Sequence, residues 1–112
     1  MNITMKNRVA VVTGGSKGIG FAVARRFAES GARVAMLARG AADLKAARER
    51  LARDGVEVRD YVCDVSKAAD IAKTHDRVVA DLGPIDVLVN NAGTSRAMAF
   101  ETVTDEIGRA HV

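Results

Sequence analysis

The fold is decided by one stretch near the amino terminus, Val9-Ala10-Val11-Val12-Thr13-Gly14-Gly15-Ser16-Lys17-Gly18-Ile19-Gly20. It begins with an apolar run rich in valine, which predicts a strand buried on both faces. A glycine-rich turn follows, and residues Phe21–Glu29 are predicted to be helical. The first N–H groups of a helix lack intrahelical partners and its dipole favours negative charge, while glycines let a phosphate approach the backbone. The stretch therefore predicts an anion site between a strand and a helix.

The spacing of these glycines differs from two common phosphate-binding patterns. Val23 stands where the third glycine of G-x-G-x-x-G would follow Gly18 and Gly20, and Lys17 precedes a glycine rather than the serine or threonine of a P-loop. A plain strand–turn–helix connection without a ligand is the alternative interpretation. The buried strand before the turn and the helix after it favour the ligand site.

Three motifs follow one another along the chain: Thr13-Gly14-x-x-x-Gly18-x-Gly20, Cys63-Asp64-Val65, and Asn90-Asn91-Ala92-Gly93 after an apolar strand. In these motifs and their order the chain resembles the short-chain dehydrogenase/reductase family. The resemblance extends from about Lys6 to Glu106, the first half of a typical member, and includes 3-oxoacyl-carrier-protein reductases and sugar or alcohol dehydrogenases. It implies a nicotinamide dinucleotide held by Gly14, Gly15, Ser16, Lys17, Gly18, Ile19, Gly20, Arg39, Asp64, Val65, Asn90, Asn91, Ala92 and Gly93.

The resemblance also implies contacts between the cofactor and the second and third motifs. The Asp64 carboxylate would accept a hydrogen bond from the adenine amino group, with a turn or helix-capping aspartate as the alternative. The Asn-Asn-Ala-Gly motif follows a strand at its carboxyl end, where ligands bind in open α/β sheets. Its small residues leave room for the nicotinamide ribose, and its amides can bridge neighbouring loops.

The end of the second strand predicts which dinucleotide binds. A free ribose 2′-hydroxyl calls for Asp or Glu at this place, but the chain has Ala38 and then Arg39. A guanidinium suits a 2′-phosphate instead, and the resemblance gives Lys17 the same role. The expected cofactor is therefore NADP(H), with NAD(H) less favoured; a plain surface charge at Arg39 is the alternative. The missing acid also argues against a methyltransferase.

Alternating strands and helices predict an α/β fold, a Rossmann-like parallel sheet with flanking helices, of which this is the amino-terminal half in strand order 3-2-1-4. The predicted strands are Arg8–Thr13, Arg33–Ala38, Val56–Val62 and Ile85–Val89, and the predicted helices are Gly18–Ser30, Ala41–Asp54 and Lys67–Leu82. The apolar positions predicted to face inward are Ile19, Val23 and Phe27 in the first helix, Leu44, Ala47 and Leu51 in the second, and Val56, Val58 and Tyr61 in the third strand. Ser66 is expected to cap the third helix. The fourth strand is expected to be an exposed edge.

Composition narrows the class of protein. The 112 residues predict one domain, and a hydrophobic content of 48% supports a core. The net charge is +3, and the charged residues of both signs are interspersed along the chain without an aromatic platform. Nucleic-acid binding is therefore not expected. The single cysteine, Cys63, fits a reducing cytosol. No signal peptide and no membrane span are predicted, so the expected location is cytoplasmic.

No catalytic residue is assigned. The resemblance implies a serine, a tyrosine and a lysine four residues after that tyrosine, but the only tyrosine, Tyr61, is followed four residues later by Val65. Ser95 comes too soon after the Asn-Asn-Ala-Gly motif to be that serine. His75 lies on an apolar helical stripe and is interpreted as structural, and no metal-ligand spacing accompanies it.

The carboxyl terminus differs from the rest of the chain. Residues Ile107–Val112 can be back-translated as ATC GGA AGA GCA CAC GTC, which matches a widely used sequencing-library adapter. We therefore expect residues 1–106 to form the dinucleotide-binding half-domain and 107–112 to be a non-native tail. The favoured function is an NADP(H)-dependent oxidoreductase, present as a cofactor-binding fragment, whose full-length form acts on a small carbonyl or alcohol and is a homo-oligomer. A non-catalytic NADP(H)-binding or regulatory module is the alternative.

Overall fold

The computed structural model describes residues 5–91 and the backbone of 110–111. Its strands are β1 (Val9–Thr13), β2 (Arg33–Ala38), β3 (Arg59–Val62), β4 (Val87–Asn90) and β5 (Ala110–His111), and its helices are α1 (Gly18–Glu29), α2 (Ala41–Arg53) and α3 (Ala68–Leu82). The strands form one parallel sheet in the order β3-β2-β1-β4-β5. The predicted Rossmann-like arrangement 3-2-1-4 is confirmed.

The central strand β1 is apolar throughout because both of its faces are covered. All five of its residues are buried. One face packs against α1 and α2 through a cluster that includes Ala24, Leu44 and Leu51. The other face packs against α3 through Ile71 and Val78. The predicted inner stripe of α2 is confirmed, and this two-sided burial explains why β1 shows no polar alternation.

The helices end at residues that the sequence marks as stops. Gly31 follows α1 with a φ of 97°, and its N–H donates to the carbonyl of Ala28 over 3.0 Å. Gly83 ends α3 with a φ of 104°. Glycine occupies this left-handed region without the steric cost that other residues have. These short turns return each chain segment to the sheet.

The third strand is shorter than predicted. Pairing with β2 begins only at Arg59, whereas the prediction began the strand at Val56. The N–H of Val56 donates to the carbonyl of Leu51 over 2.9 Å, so this residue belongs to the turn that closes α2. Val58 and Tyr61 are buried as predicted, and Val56 is half-buried.

Two predictions about side chains near helix starts are wrong. Ile19 is 75% exposed instead of facing the sheet, because the closely packed face of α1 is formed by Gly20 and Ala24. Ser66 does not cap α3. The N-cap is Lys67, and the Ser66 hydroxyl donates to Asp64 Oδ1 over 2.6 Å instead.

The fourth strand also differs from the prediction. It begins at Val87 rather than Ile85, and Asn90 is its last residue rather than the first one after it. It is not an edge of the sheet, because β5 pairs with it in parallel at Val87 and Leu88. The first half of β4, at Val87 and Leu88, thus has a strand partner on that side.

Among residues 5–91, no helix has both the length and the apolar character needed to cross a membrane.

Candidate dinucleotide site

A cavity of about 450 Å³ lies at the carboxyl ends of β1, β2 and β3. Parallel strands bring these ends to one edge of the sheet, so residues far apart in sequence meet there. Its lining residues are Gly14, Ser16, Lys17, Leu37, Ala38, Arg39, Cys63, Asp64, Val65, Ser66 and Asn91. We call this the dinucleotide cavity. Seven of the residues predicted from sequence to bind the cofactor are among its lining.

The glycine turn has the backbone geometry that its composition predicts. Gly14 and Gly18 have φ values of 65° and 54°, a region that other residues rarely adopt. Gly15 is buried against β2, where an added Cβ would lie 3.0 Å from Met36 Cβ, and its N–H donates to the Leu37 carbonyl over 3.1 Å. The turn is thereby fixed to the second strand.

Gly20 is the point of closest approach in the site. A Cβ at this position would overlap the carbonyl oxygen of Gly14 and lie 2.7 Å from Asn91 Nδ2. The Asn91 amide itself donates to the Gly14 carbonyl over 3.4 Å. The predicted bridging of loops by an asparagine amide is confirmed for Asn91. Glycine is required at residue 20 because the Gly14 backbone and the Asn91 side chain both approach it closely.

The first turn of α1 directly follows Lys17, which lines the cavity. The helix has Lys17 as its N-cap, with no side-chain hydrogen bond to the cap and no acidic residue in the first turn. The first intrahelical bond runs from the Phe21 N–H to the Lys17 carbonyl over 3.2 Å. The N–H groups of Gly18, Ile19 and Gly20 come before this bond and so have no partner one turn back in the helix. This arrangement favours an anion at this end of the helix.

Thr13 connects the glycine turn with the Asn-Asn-Ala-Gly motif, a role that the sequence did not predict. Its side chain is fully buried, its hydroxyl donates to the Val89 carbonyl over 3.3 Å, and it accepts from the Asn91 N–H over 3.0 Å. One hydroxyl thus holds the end of β4 beside the glycine turn. A polar residue at the end of an otherwise apolar strand was the available signal.

Two cations border the dinucleotide cavity. Arg39, directly after β2, is exposed and lines it. Lys17 also lines it, and its Nζ lies 3.1 Å from Asp43 Oδ2 on α2. No carboxylate stands at the end of β2, since Ala38 occupies that place.

Asp64 is held in a turn of its own. Its Oδ1 accepts from the Ser66 hydroxyl and from the Ser66 N–H, over 2.6 and 3.0 Å. These hydrogen bonds lower the pKa of the Asp64 carboxyl, and the nearby positive charges of Arg39 and Lys67 act in the same direction. The carboxylate is therefore ionised at neutral pH and stands at the cavity as an acceptor.

The remaining predicted residues have other positions. Gly15, Gly18, Ile19 and Gly20 shape the turn without lining the cavity. Asn90 ends β4, and its buried Oδ1 has no hydrogen-bond partner within residues 5–91. Ala92 and Gly93 lie outside the described residues.

Two residues considered in the sequence lie away from the cavity. The Tyr61 hydroxyl donates to Asp81 Oδ2 over 2.7 Å on α3. His75, on the same helix, is largely buried, with Nδ1 3.4 Å from Asp76 Oδ1. Within residues 5–91, His, Cys, Asp and Glu side chains form no group that could hold a metal ion.

Comparison with known proteins identifies the family. The sequence model of the short chain dehydrogenase family matches residues 8–110. A 3-oxoacyl-[acyl-carrier-protein] reductase of Chlamydia muridarum is 38% identical over 107 residues, covering 95% of this chain and 43% of the relative. The chain spans between 30% and 43% of the length of these curated relatives.

Solved structures agree with this assignment. L-sorbose reductase from Gluconobacter frateurii, complexed with NADPH and L-sorbose, is 38% identical with a TM-score of 0.77, covering 84% of this chain and 36% of that one. A metagenomic short-chain oxidoreductase in complex with NADP is 43% identical with a TM-score of 0.74, covering 80% of this chain and 41% of that one. A match over nearly the whole chain, together with the strand order and the glycine turn, shows that this chain belongs to the short-chain dehydrogenase family of oxidoreductases.

Proposed function

We propose that this chain is the cofactor-binding part of an NADP(H)-dependent oxidoreductase that interconverts a carbonyl and an alcohol. The observation that carries the proposal is the pair of cations, Lys17 and Arg39, on one cavity with the glycine turn. NADP and NADPH are bound by two similar structures. Similarity alone leaves the choice between NAD(H) and NADP(H) open, and the charges support the second.

The charge arrangement favours a 2′-phosphate over a free 2′-hydroxyl. A hydroxyl needs a carboxylate acceptor at the end of β2, and Ala38 provides none. A phosphate needs cations, and a guanidinium presents two donors in the geometry of its oxygens. Each charged contact contributes about 1–2 kcal/mol after solvent screening. Two contacts then favour NADP(H) by roughly tens- to hundreds-fold.

The rest of the cavity fits the other parts of a dinucleotide. The open N–H groups of the first turn of α1 suit the pyrophosphate, and the absence of a side chain at Gly20 keeps Asn91 close to that turn. Asp64 lines the cavity, which supports the proposal that its carboxylate accepts from the adenine amino group. When bound, the nicotinamide gives or takes the hydride, while this chain's residues bind and orient it.

The proposal extends to the substrate, the assembly and the location of the protein. One similar protein is an L-sorbose reductase and another is a 3-oxoacyl-[acyl-carrier-protein] reductase, so a small carbonyl or alcohol is the proposed substrate class. A homo-oligomer is the proposed assembly of the full-length protein. The buried thiol of Cys63, free of a disulfide, supports a reducing compartment such as the cytosol.

A second candidate is an NADP(H)-binding module without catalysis. It is favoured by the position of the only tyrosine, Tyr61, whose hydroxyl is engaged by Asp81 away from the cavity. Turnover of NADPH with a panel of small ketones and aldehydes separates the two candidates. Cofactor binding without turnover supports the module.

The cofactor assignment is tested by exchanging the charges. The double variant Lys17→Ser with Arg39→Asp should weaken NADPH binding at least tenfold and leave NADH binding equal or stronger, as measured by fluorescence titration. Lys45→Ser with Arg53→Asp makes the same charge change on exposed positions of α2 and is the matched control. If the ratio of the two dissociation constants stays at its original value in the first variant, the roles given to Lys17 and Arg39 are wrong.

A further inference from the structure

The Lys17 ammonium is paired with Asp43, and the proposed function requires the same ammonium to bind the 2′-phosphate. We propose that Asp43 competes with the 2′-phosphate for Lys17 and thereby sets how strongly the site prefers NADP(H). Asp43 is thus a specificity-determining residue on α2 that does not line the dinucleotide cavity. The inference rests on the proposed function, because it concerns the same site.

Lys17 borders two adjacent depressions. One is the dinucleotide cavity, which it shares with Arg39. The other is a groove of about 340 Å³ between the first turn of α1 and α2, which it shares with Asp43, Phe21 and Arg50. Asp43 lines the groove only. A Lys17 side chain paired with Asp43 is therefore engaged on the groove side of the turn.

The contact between them is close and its environment is open. Lys17 Nζ lies 3.1 Å from Asp43 Oδ2, and the two side chains are 75% and 57% exposed. Water screens such a pair, so it holds the ammonium only weakly. A phosphate with up to two negative charges, already bound to Arg39, is a stronger partner and draws Lys17 away. Because the ion pair between Lys17 and Asp43 must break, the affinity for the phosphate is lower than it would be without Asp43.

This competition acts on one cofactor only. NAD(H) carries a hydroxyl in place of the 2′-phosphate and leaves the pair of Lys17 and Asp43 intact. Exposed ion pairs of this kind change an equilibrium by about two- to fivefold. Removing the Asp43 charge should therefore increase affinity for the 2′-phosphate by that factor and leave the affinity for a nucleotide without it unchanged.

The test uses adenosine 2′,5′-bisphosphate and adenosine 5′-monophosphate as probes, titrated calorimetrically into the full chain. In Asp43→Asn we expect the bisphosphate to bind about two to five times more tightly, with the monophosphate unchanged. Asp43→Glu keeps the carboxylate and should restore the original bisphosphate affinity. Glu49→Gln, which neutralises another exposed carboxylate of α2, is the matched control and should change neither.

A double-variant cycle separates competition for Lys17 from a general effect of negative charge. In a Lys17→Gln background, Asp43→Asn should no longer alter bisphosphate affinity. The inference is overturned if Asp43→Asn gives an equal gain in both backgrounds, or if it gives no gain when Lys17 is retained. Wild-type binding of NADPH is measured in the same series. If it is absent, the proposed function fails and the inference with it; if it is present while the cycle shows no coupling, only the inference fails.

Discussion

Replacing Thr13 by valine tests whether one hydroxyl holds the cofactor site together. Valine has nearly the same shape, so the substitution removes a polar group without opening a cavity. The hydroxyl of Thr13 donates to the Val89 carbonyl and accepts from the Asn91 N–H. Both partners belong to the segment that ends β4, and both lose this contact in Thr13→Val.

The expected cost follows from these two bonds. A hydrogen bond contributes about 1 kcal/mol net, and a buried partner left unpaired costs about 1–3 kcal/mol. Thr13 is 0% exposed, so water cannot take the place of its hydroxyl. Asn91 is exposed, and its N–H can regain a water molecule, which limits the loss. We therefore expect Thr13→Val to lower the free energy of unfolding by about 1–3 kcal/mol.

Two measurements check this expectation. Urea unfolding gives the free energy, and amide hydrogen exchange reports the Asn91 N–H directly, which should exchange about 5- to 100-fold faster in Thr13→Val. Thr13→Ser is the matched control, because it keeps the hydroxyl and loses one methyl group; its Asn91 exchange should stay near the original rate. NADPH affinity should fall in the valine variant only. Equal Asn91 exchange in the valine and serine variants would refute the bridging role of Thr13.

Two further predictions concern packing and pH. Gly20→Ala should lower the free energy of unfolding by about 1–2 kcal/mol, since the clash with Gly14 outweighs the gain in helix propensity. Gly40→Ala is the control and should be tolerated in the same urea unfolding assay, because the nearest atom to its added Cβ is 3.6 Å away. Equal stability of the two variants would contradict the close approach at Gly20. Burial, followed by the hydrogen bond to Asp81, raises the pKa of Tyr61 to about 12 from its ordinary 10.0. A neutral phenol is thus favoured by folding, so its contribution to stability is complete below pH 10.0 and is lost as the pH rises through about 12. Because Tyr61 is the only tyrosine, phenolate absorbance reports it alone; a midpoint near 10.0 in the folded protein would contradict its burial.

Much of the fold was predictable because it depends on short-range patterns. The second strand was predicted with its observed bounds, Arg33–Ala38. The inner stripe of α2 followed from the spacing of Leu44, Ala47 and Leu51, which are all buried. The glycine turn was recognisable because a strand, free backbone donors and a helix start occur within twelve consecutive residues.

Errors arose where one particular contact overrode the structural preference of a single residue type. Ile19 fits an apolar helical stripe, yet the tight packing of Gly20 against Gly14 turns that side of α1 to the sheet and leaves Ile19 exposed. Val56 has a high strand propensity, but its N–H closes the turn after α2. Serine is a common helix-capping residue, but the N–H and the hydroxyl of Ser66 both donate to the Asp64 carboxylate instead.

The sequence by itself determined the order of strands and helices, the glycine turn and the basic residue after β2, because each is encoded within a few neighbouring residues. Only the tertiary structure decided which side chains meet. It brings Thr13 to Asn91, 78 residues apart, and Lys17 to Asp43. Such pairs depend on the register between β1 and β4 and on the packing of α2 beside α1, and no local pattern records either. The dinucleotide cavity exists because parallel strands place their carboxyl ends at one edge.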